Sequence, residues 1–268
     1  MLLYYVQKPR ARNAFRRFIG KEYFIFKQKI SWLKDRSKFA GVDKDSAYPH
    51  SLIAHRSLLL RPLKDVEMYL QENKIVNLRL AINAIDKTVI RPGEVFSFWK
   101  LVGRPSKRKG YIEGLVLNNG AISKGIGGGL CQLGNLLYWL ALHTPLAIKQ
   151  RHRHGYDVFP DVNRNVPFAC GATLAYNYID LQLQNNTADS YQLHLWLEDG
   201  YLYGKITSNV NTAVRYDVFE TDHCFKQQWW GGYTRHNKIW KRITTGDRVE
   251  EELIAVNNAI MMYDPLVK

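Results

Sequence analysis

Residues 125–139 read GIGGGLCQLGNLLYW, with four glycines ahead of one thiol, Cys131, which opens a stretch of helical periodicity. A thiol becomes a nucleophile when its thiolate is stabilised, and unpaired N–H groups and the dipole at a helix N-terminus do this. Glycines ahead of it permit positive φ and close approach of another chain. The backbone of Gly127, Gly128 and Gly129, with the amide of Gln132, is therefore a candidate oxyanion or anion-binding site. Asn135 and Tyr138 follow one and two helical turns after the thiol and are expected to line the space above the sulfur. A cysteine nucleophile also needs a base. The run RHRH supplies His152 and His154, which on a strand point to one face. His154 is preferred, because Gly155 beside it leaves room for a substrate. Asp157, Asp161, Asn163 and Asn165 are near in sequence to orient the imidazole, and Asp157 is assigned to the pocket.

The same residues admit other readings. A single cysteine is commonly a small buried hydrophobe, and a glycine loop before a helix can be only a tight turn. Glycine-rich turns at helix starts also bind anions. GIGGGLCQ lacks the Gly-Lys-Ser/Thr ending of a phosphate-binding P-loop, yet Lys124, Arg151, Arg153 and the RPSKRKG run at 104–110 are cations available to an anionic ligand. In that reading Trp99, Trp229 and Trp230 stack on sugar or peptide. A zinc site from Cys131, His152 and His154 with Cys224 or His223 is chemically conceivable but has no characteristic ligand spacing. No metal and no cofactor is expected.

The elements that must position these groups follow from periodicity. Residues 76–86 read as a helix, with Leu78, Ile82 and Ile85 on one side. TVIRPGEVFSFW (88–99) reads as strand, Pro-Gly turn, strand. YIEGLVLNNGAI (111–122) reads as a hairpin around Asn-Gly. A strand is expected to end near His152 and His154, residues 172–185 alternate as one long strand or a pair, and 191–208 form a hairpin around Asp199-Gly200. Beyond that the chain is strand-rich and aromatic. The fold class is α+β, mostly antiparallel sheet around a central helix starting at Cys131, with a strand-rich C-terminal part.

Charge divides the chain. Formal net charge is +14, and residues 1–40 hold 11 of the 38 Lys/Arg with only two acids, Glu22 and Asp35. This basic aromatic segment is separated from a body at 41–268, with a core at about 75–190 and a C-terminal part at about 191–268. As a basic amphipathic helix it can contact an anionic membrane surface; as an ordinary helix it packs on the body with its charges solvated. The chain shows no recognised nucleic-acid module, so no nucleic acid partner is expected. There is no secretory signal pattern and no apolar run of spanning length. The three cysteines, Cys131, Cys170 and Cys224, include no CxxC pair. A cytoplasmic protein, with membrane association as an option, is the expectation.

Several of these stretches carry a resemblance. NLRLAINAIDKTVIRPGEVFSFWKLVG, GYIEGLVLNNGAISKGIGGGLCQLGNLLYWLAL, RHRHGYDVFPD and PFACGATLAYNYIDLQLQNNT resemble the VanW family, and YLYGKI, VFETDHCF and GGYTRHN resemble its shorter members. The likeness runs over roughly residues 45–265. It implies an association with vancomycin resistance and peptidoglycan chemistry without supplying a mechanism. Longer members read His-x-His-Ser where Gly155 stands here, so a hydroxyl at that position is absent. The resulting expectation is a cysteine-dependent acyl transferase or amide hydrolase on peptidoglycan-type peptides. The alternatives are a non-catalytic module binding an anionic wall precursor, or an accessory protein.

Overall fold

The computed structural model describes residues 13–60, 67–118, 120–158, 166–176 and 179–265. In chain order these form α1 (Ala14–Lys34), β1 (Gly41–Val42), β2 (His50–Leu58), α2 (Met68–Ile85), β3 (Thr88–Ile90), β4 (Val95–Ser97), α3 (Phe98–Val102), β5 (Glu113–Asn118), β6 (Ala121–Ile126) and α4 (Cys131–Leu142). Then follow β7 (Ala147–Gln150), β8 (Tyr156–Asp157), β9 (Gln182–Gln184), β10 (Tyr191–Glu198), β11 (Tyr201–Ser208), β12 (Arg215–Gln227), β13 (Tyr233–Thr245) and β14 (Arg248–Met261). The class is α+β with antiparallel sheets and a strand-rich C-terminal part, as the sequence predicts.

The main sheet has the order β1-β3-β10-β11-β2. Its centre is the β10–β11 hairpin, whose turn residues Asp199 and Gly200 both have positive φ. That geometry matches the right-handed twist of the flanking strands. Helix α4 packs against this sheet with Leu133, Leu137 and Leu140 fully buried. A Cβ on Gly204 of β11 would sit 2.7 Å from Leu140 Cδ1 and 2.9 Å from Leu136 Cδ2, so the glycine sets how closely helix and sheet approach.

A smaller sheet, β4-β9-β7, abuts the same core, and β5 pairs with β6 as the Asn-Gly hairpin predicts. The 88–99 stretch keeps its turn, with Gly93 at φ 75°. Its two strands nevertheless enter different sheets, and Phe98 and Trp99 open α3 instead of extending β4. Buried Asp180 causes this: its Oδ2 accepts from Ser97 Oγ at 2.6 Å and its Oδ1 from the Trp99 N–H at 3.0 Å, which turns the chain into α3. The long β12-β13-β14 meander carries β8 on its edge in parallel register.

Two expectations need correction here. Strand β7 ends at Gln150, before the histidine pair, and among the described residues of 172–185 there is only the three-residue β9 plus a bridge between Ala175 and Ile179. The hydrogen bonds of 172–174 go instead to side chains and to the backbone of His152, as described below.

Candidate functional site

The glycine loop delivers the thiol to the first residue of α4, as its spacing predicts. Each of the three consecutive glycines has a packing reason. Gly127 and Gly129 have φ of 76° and 92°, in the left-handed region. A Cβ on Gly128 would lie 2.2 Å from the carbonyl carbon of Gly114, so two backbones touch there. Asn77 of α2, fully buried, holds this arrangement. Its Nδ2 donates to Ile112 O and Gly128 O at 3.0 and 2.9 Å, and its Oδ1 accepts from the Ile112 N–H at 3.0 Å. One amide thus fastens the β5–β6 hairpin and the glycine loop to α2. The sequence marks Asn77 only as a polar residue beside Leu78, and apolar periodicity passes over it.

The same packing engages most of the donors proposed for an oxyanion. The Gly127 N–H donates to Ile112 O and the Gly128 N–H to Gly125 O, both at 3.0 Å, and the Gln132 N–H donates to Gly129 O at 3.1 Å. The Gln132 side chain turns to β2, donating to Ser57 Oγ and Leu58 O.

Above the thiol lies the 171–174 segment. Cys131 and Asn135, one helical turn apart, grip it together. Asn135 Oδ1 accepts from the Ala172 N–H at 2.9 Å, and Cys131 Sγ accepts from the Leu174 N–H at 3.4 Å and lies 3.6 Å from Leu174 O. Between them the Thr173 N–H donates to His152 O at 2.8 Å. Side chains from α4 and backbone from the histidine segment therefore replace a β ladder. Gly134 and Gly171 make room for the contact: a Cβ on either would fall under 3 Å from Leu174 or Asn135.

Burial pushes the Cys131 thiol above its ordinary range, and the Leu174 backbone hydrogen bond offsets this only in part. Among the described residues no imidazole hydrogen-bonds the sulfur. Both histidines are half-buried, and desolvation lowers their pKa, which favours neutral rings. His152 Nε2 lies 3.3 Å from Gln150 Nε2. Tyr138 is buried beneath Arg151, whose guanidinium stands 4.5 Å over its ring. Asp157 belongs to another neighbourhood: it sits on β8, ion-paired with Arg235 and accepting from Tyr263 Oη at 2.7 Å. Asp161, Asn163 and Asn165 lie outside the described residues. Among the described residues no three His, Cys, Asp or Glu side chains come close enough to hold a metal ion.

The candidate cations differ sharply. Lys124 bonds Glu67 and Tyr69. Arg104 pairs with Glu22, and Lys109 donates to Val102 O. Arg151 donates to Ala169 O and Gly171 O, fixing the base of the 171–174 segment. Arg153, two residues on, is different. Among the described residues its Nη1 is buried with no hydrogen-bond partner, and desolvation, then the neighbouring Arg151, disfavours its charge. Its charge also lowers the pKa of His236, after desolvation and Lys226. Thr173 Oγ1 is likewise buried without a partner, one position away across the Thr173–His152 hydrogen bond. Of the aromatics proposed to stack on a ligand, Trp99 is in the core, its Nε1 donating to Ile179 O. Trp229 and Trp230 are exposed.

A helix-start thiol behind a triple glycine, with a histidine pair running beside the segment that covers it, defines the centre of this α+β body. The family described as VanW like protein matches residues 73–207, the span from α2 to β11 that contains all of it. The chain belongs to the VanW family. It is 33% identical over 227 residues to the Vancomycin B-type resistance protein VanW of Enterococcus faecalis strain V583, covering 84% of this chain and 82% of that one. It is also 35% identical over 109 residues to the Uncharacterized protein YoaR of Bacillus subtilis strain 168, covering 41% of this chain and 34% of that one. No solved structure matches it significantly.

Proposed function

We propose that this chain serves cell-wall peptide chemistry, in keeping with the resistance named for its Enterococcus relative, by binding an anionic group of a peptidoglycan-type precursor at Arg153. The observation that carries this reading is the buried, unpartnered Nη1 of Arg153 beside Arg151 and His236. A desolvated cation with a cationic neighbour and no carboxylate partner among the described residues is costly. A carboxylate or phosphate seated there satisfies the guanidinium through charge-assisted hydrogen bonds, and Thr173 Oγ1 supplies a further polar contact. Calorimetric titration with an uncross-linked muramyl pentapeptide tests it. The free-carboxylate peptide binds, and its C-terminally amidated form and the Arg153→Met protein bind about 10-fold more weakly or worse, the equivalent of one charged hydrogen bond. Equal affinity in all three titrations refutes the assignment.

A second reading makes Cys131 the nucleophile of an acyl transfer or amide hydrolysis, with His154 or His152 as base. Its support is the thiol's place at the start of α4 and the neutral state that burial favours for both imidazoles, which suits proton acceptance. The sulfur accepts from the Leu174 N–H, so this chemistry requires the partly exposed thiol to give up that hydrogen bond. Iodoacetamide distinguishes the two readings. Under the binding reading alkylation of Cys131 is slow and rises only at a pH above that of an ordinary thiol, with or without peptide. Under the catalytic reading peptide accelerates alkylation, and Cys131→Ser abolishes release of the acyl product.

A further inference from the structure

Helix α1 presents its apolar residues in the wrong direction for a helix that only packs on the body. Ile25 and Gln28 are buried against the protein, and Trp32 packs on the core. Phe15, Ile19, Phe26 and Leu33 form a separate stripe about 120° round the helix from them, with Phe18 between the two faces and Tyr23 on the far side. Phe15 is 73%, Phe26 63% and Leu33 86% exposed. Spacings of four and seven residues make this a continuous outward stripe along a helix about 32 Å long. Exposed cations border it: Arg16, Lys27 and Lys34 on one side and Lys29 on the other. The acids do not neutralise them. Glu22 pairs with Arg104 and Asp35 with Lys149, so both acids of the segment are turned to the body. No helix among the described residues is long and apolar enough to cross a membrane.

We propose that α1 lies in the headgroup layer of an anionic bilayer, with the Phe15–Leu33 stripe in the acyl boundary and the flanking lysines and arginines on the lipid phosphates. An outward apolar stripe bordered by cations is the pattern of an interfacial helix, and charge complementarity names the lipid. A second copy of α1 is a poorer occupant, since face-to-face packing brings two cationic rows together. A nucleic acid strand would satisfy the cations and leave the apolar stripe in water.

Co-sedimentation of the full chain with phosphatidylcholine vesicles, with and without phosphatidylglycerol, tests the assignment. The chain is expected to pellet with the anionic vesicles, weakly with the neutral ones, and less as salt rises. The Phe18→Glu/Phe26→Glu double variant loses at least about 10-fold in partitioning, and Lys27→Glu/Lys29→Glu loses the preference for anionic lipid. Both variants change only exposed side chains, and their thermal unfolding matches the parent chain. Equal partitioning of parent and Phe variant, or indifference to phosphatidylglycerol, overturns the proposal. So does a concentration-dependent dimer, dissociated by Phe26→Glu, that ignores vesicles.

Discussion

Helices α1 and α4 carry comparable numbers of large apolar side chains and place them in opposite surroundings. In α4 the leucines enter the core between the main sheet and the 171–174 segment, and its polar groups, Cys131 and Asn135, hold that segment. In α1 Phe15, Phe18 and Phe26 face outward, and the Glu22–Arg104 pair, the Lys149 pair of the capping Asp35 and a few buried contacts hold the helix to the body. The contrast separates residues that packing engages from residues that it leaves exposed. Around Cys131 the functional-looking groups are largely engaged in packing; on α1 and at Arg153 groups that folding would satisfy are left unsatisfied.

Substitutions can break or sharpen this contrast. The largest effect is expected in the α4 core: Leu137→Ala should cost about 2–5 kcal/mol in urea unfolding, through lost burial and a residual cavity. Leu33→Ala on the exposed face of α1 should change stability by less than about 0.5 kcal/mol. Similar losses at the two leucines would mean that α1 has a covered face in solution. Next is Asn77→Ala, which strands the Ile112 N–H and the Gly128 carbonyl, while Ile112 O keeps the Gly127 N–H. It should cost about 1–3 kcal/mol and raise hydrogen exchange across the β5–β6 hairpin and the 127–129 loop before the rest of the chain.

The smallest effect is a pH dependence. Burial lowers the pKa of His55, His143 and His154. The unfolded chain therefore binds protons that the folded chain resists, and stability should fall as pH drops through 6.5, the ordinary histidine value. Asp35 and Asp43 have lowered pKa values, so what they contribute is lost at more acid pH, below 3.8. His154→Phe should flatten the drop at the higher window without altering the acid one. A urea midpoint constant across pH 6.5 would show that those rings are more hydrated than their packing implies.

Much of this architecture was legible in the sequence where local chemistry determines structure. Asn-Gly and Asp-Gly placed both hairpin turns, periodicity placed α2, and the glycine run placed Cys131 at a helix start. Reading failed where partners are distant in sequence. Alternation in 172–185 looked like a strand, but Cys131, Asn135 and His152 satisfy the 172–174 N–H groups from elements far up the chain. Trp99 looked available for a ligand until Asp180, 81 residues on, turned the backbone into α3 and put the ring in the core. At Cys131 two effects that the sequence left open against each other meet: the helix start favours the thiolate and burial opposes it.

The paired grip of Cys131 and Asn135 on one ribbon of backbone makes the sulfur a natural reporter. Cys131 is partly exposed and its sulfur accepts from the Leu174 N–H, so its labelling rate should rise whenever the ribbon comes away. Removing Asn135 frees the neighbouring anchor without touching the thiol itself, and the rate then tells whether the two anchors release together or one at a time.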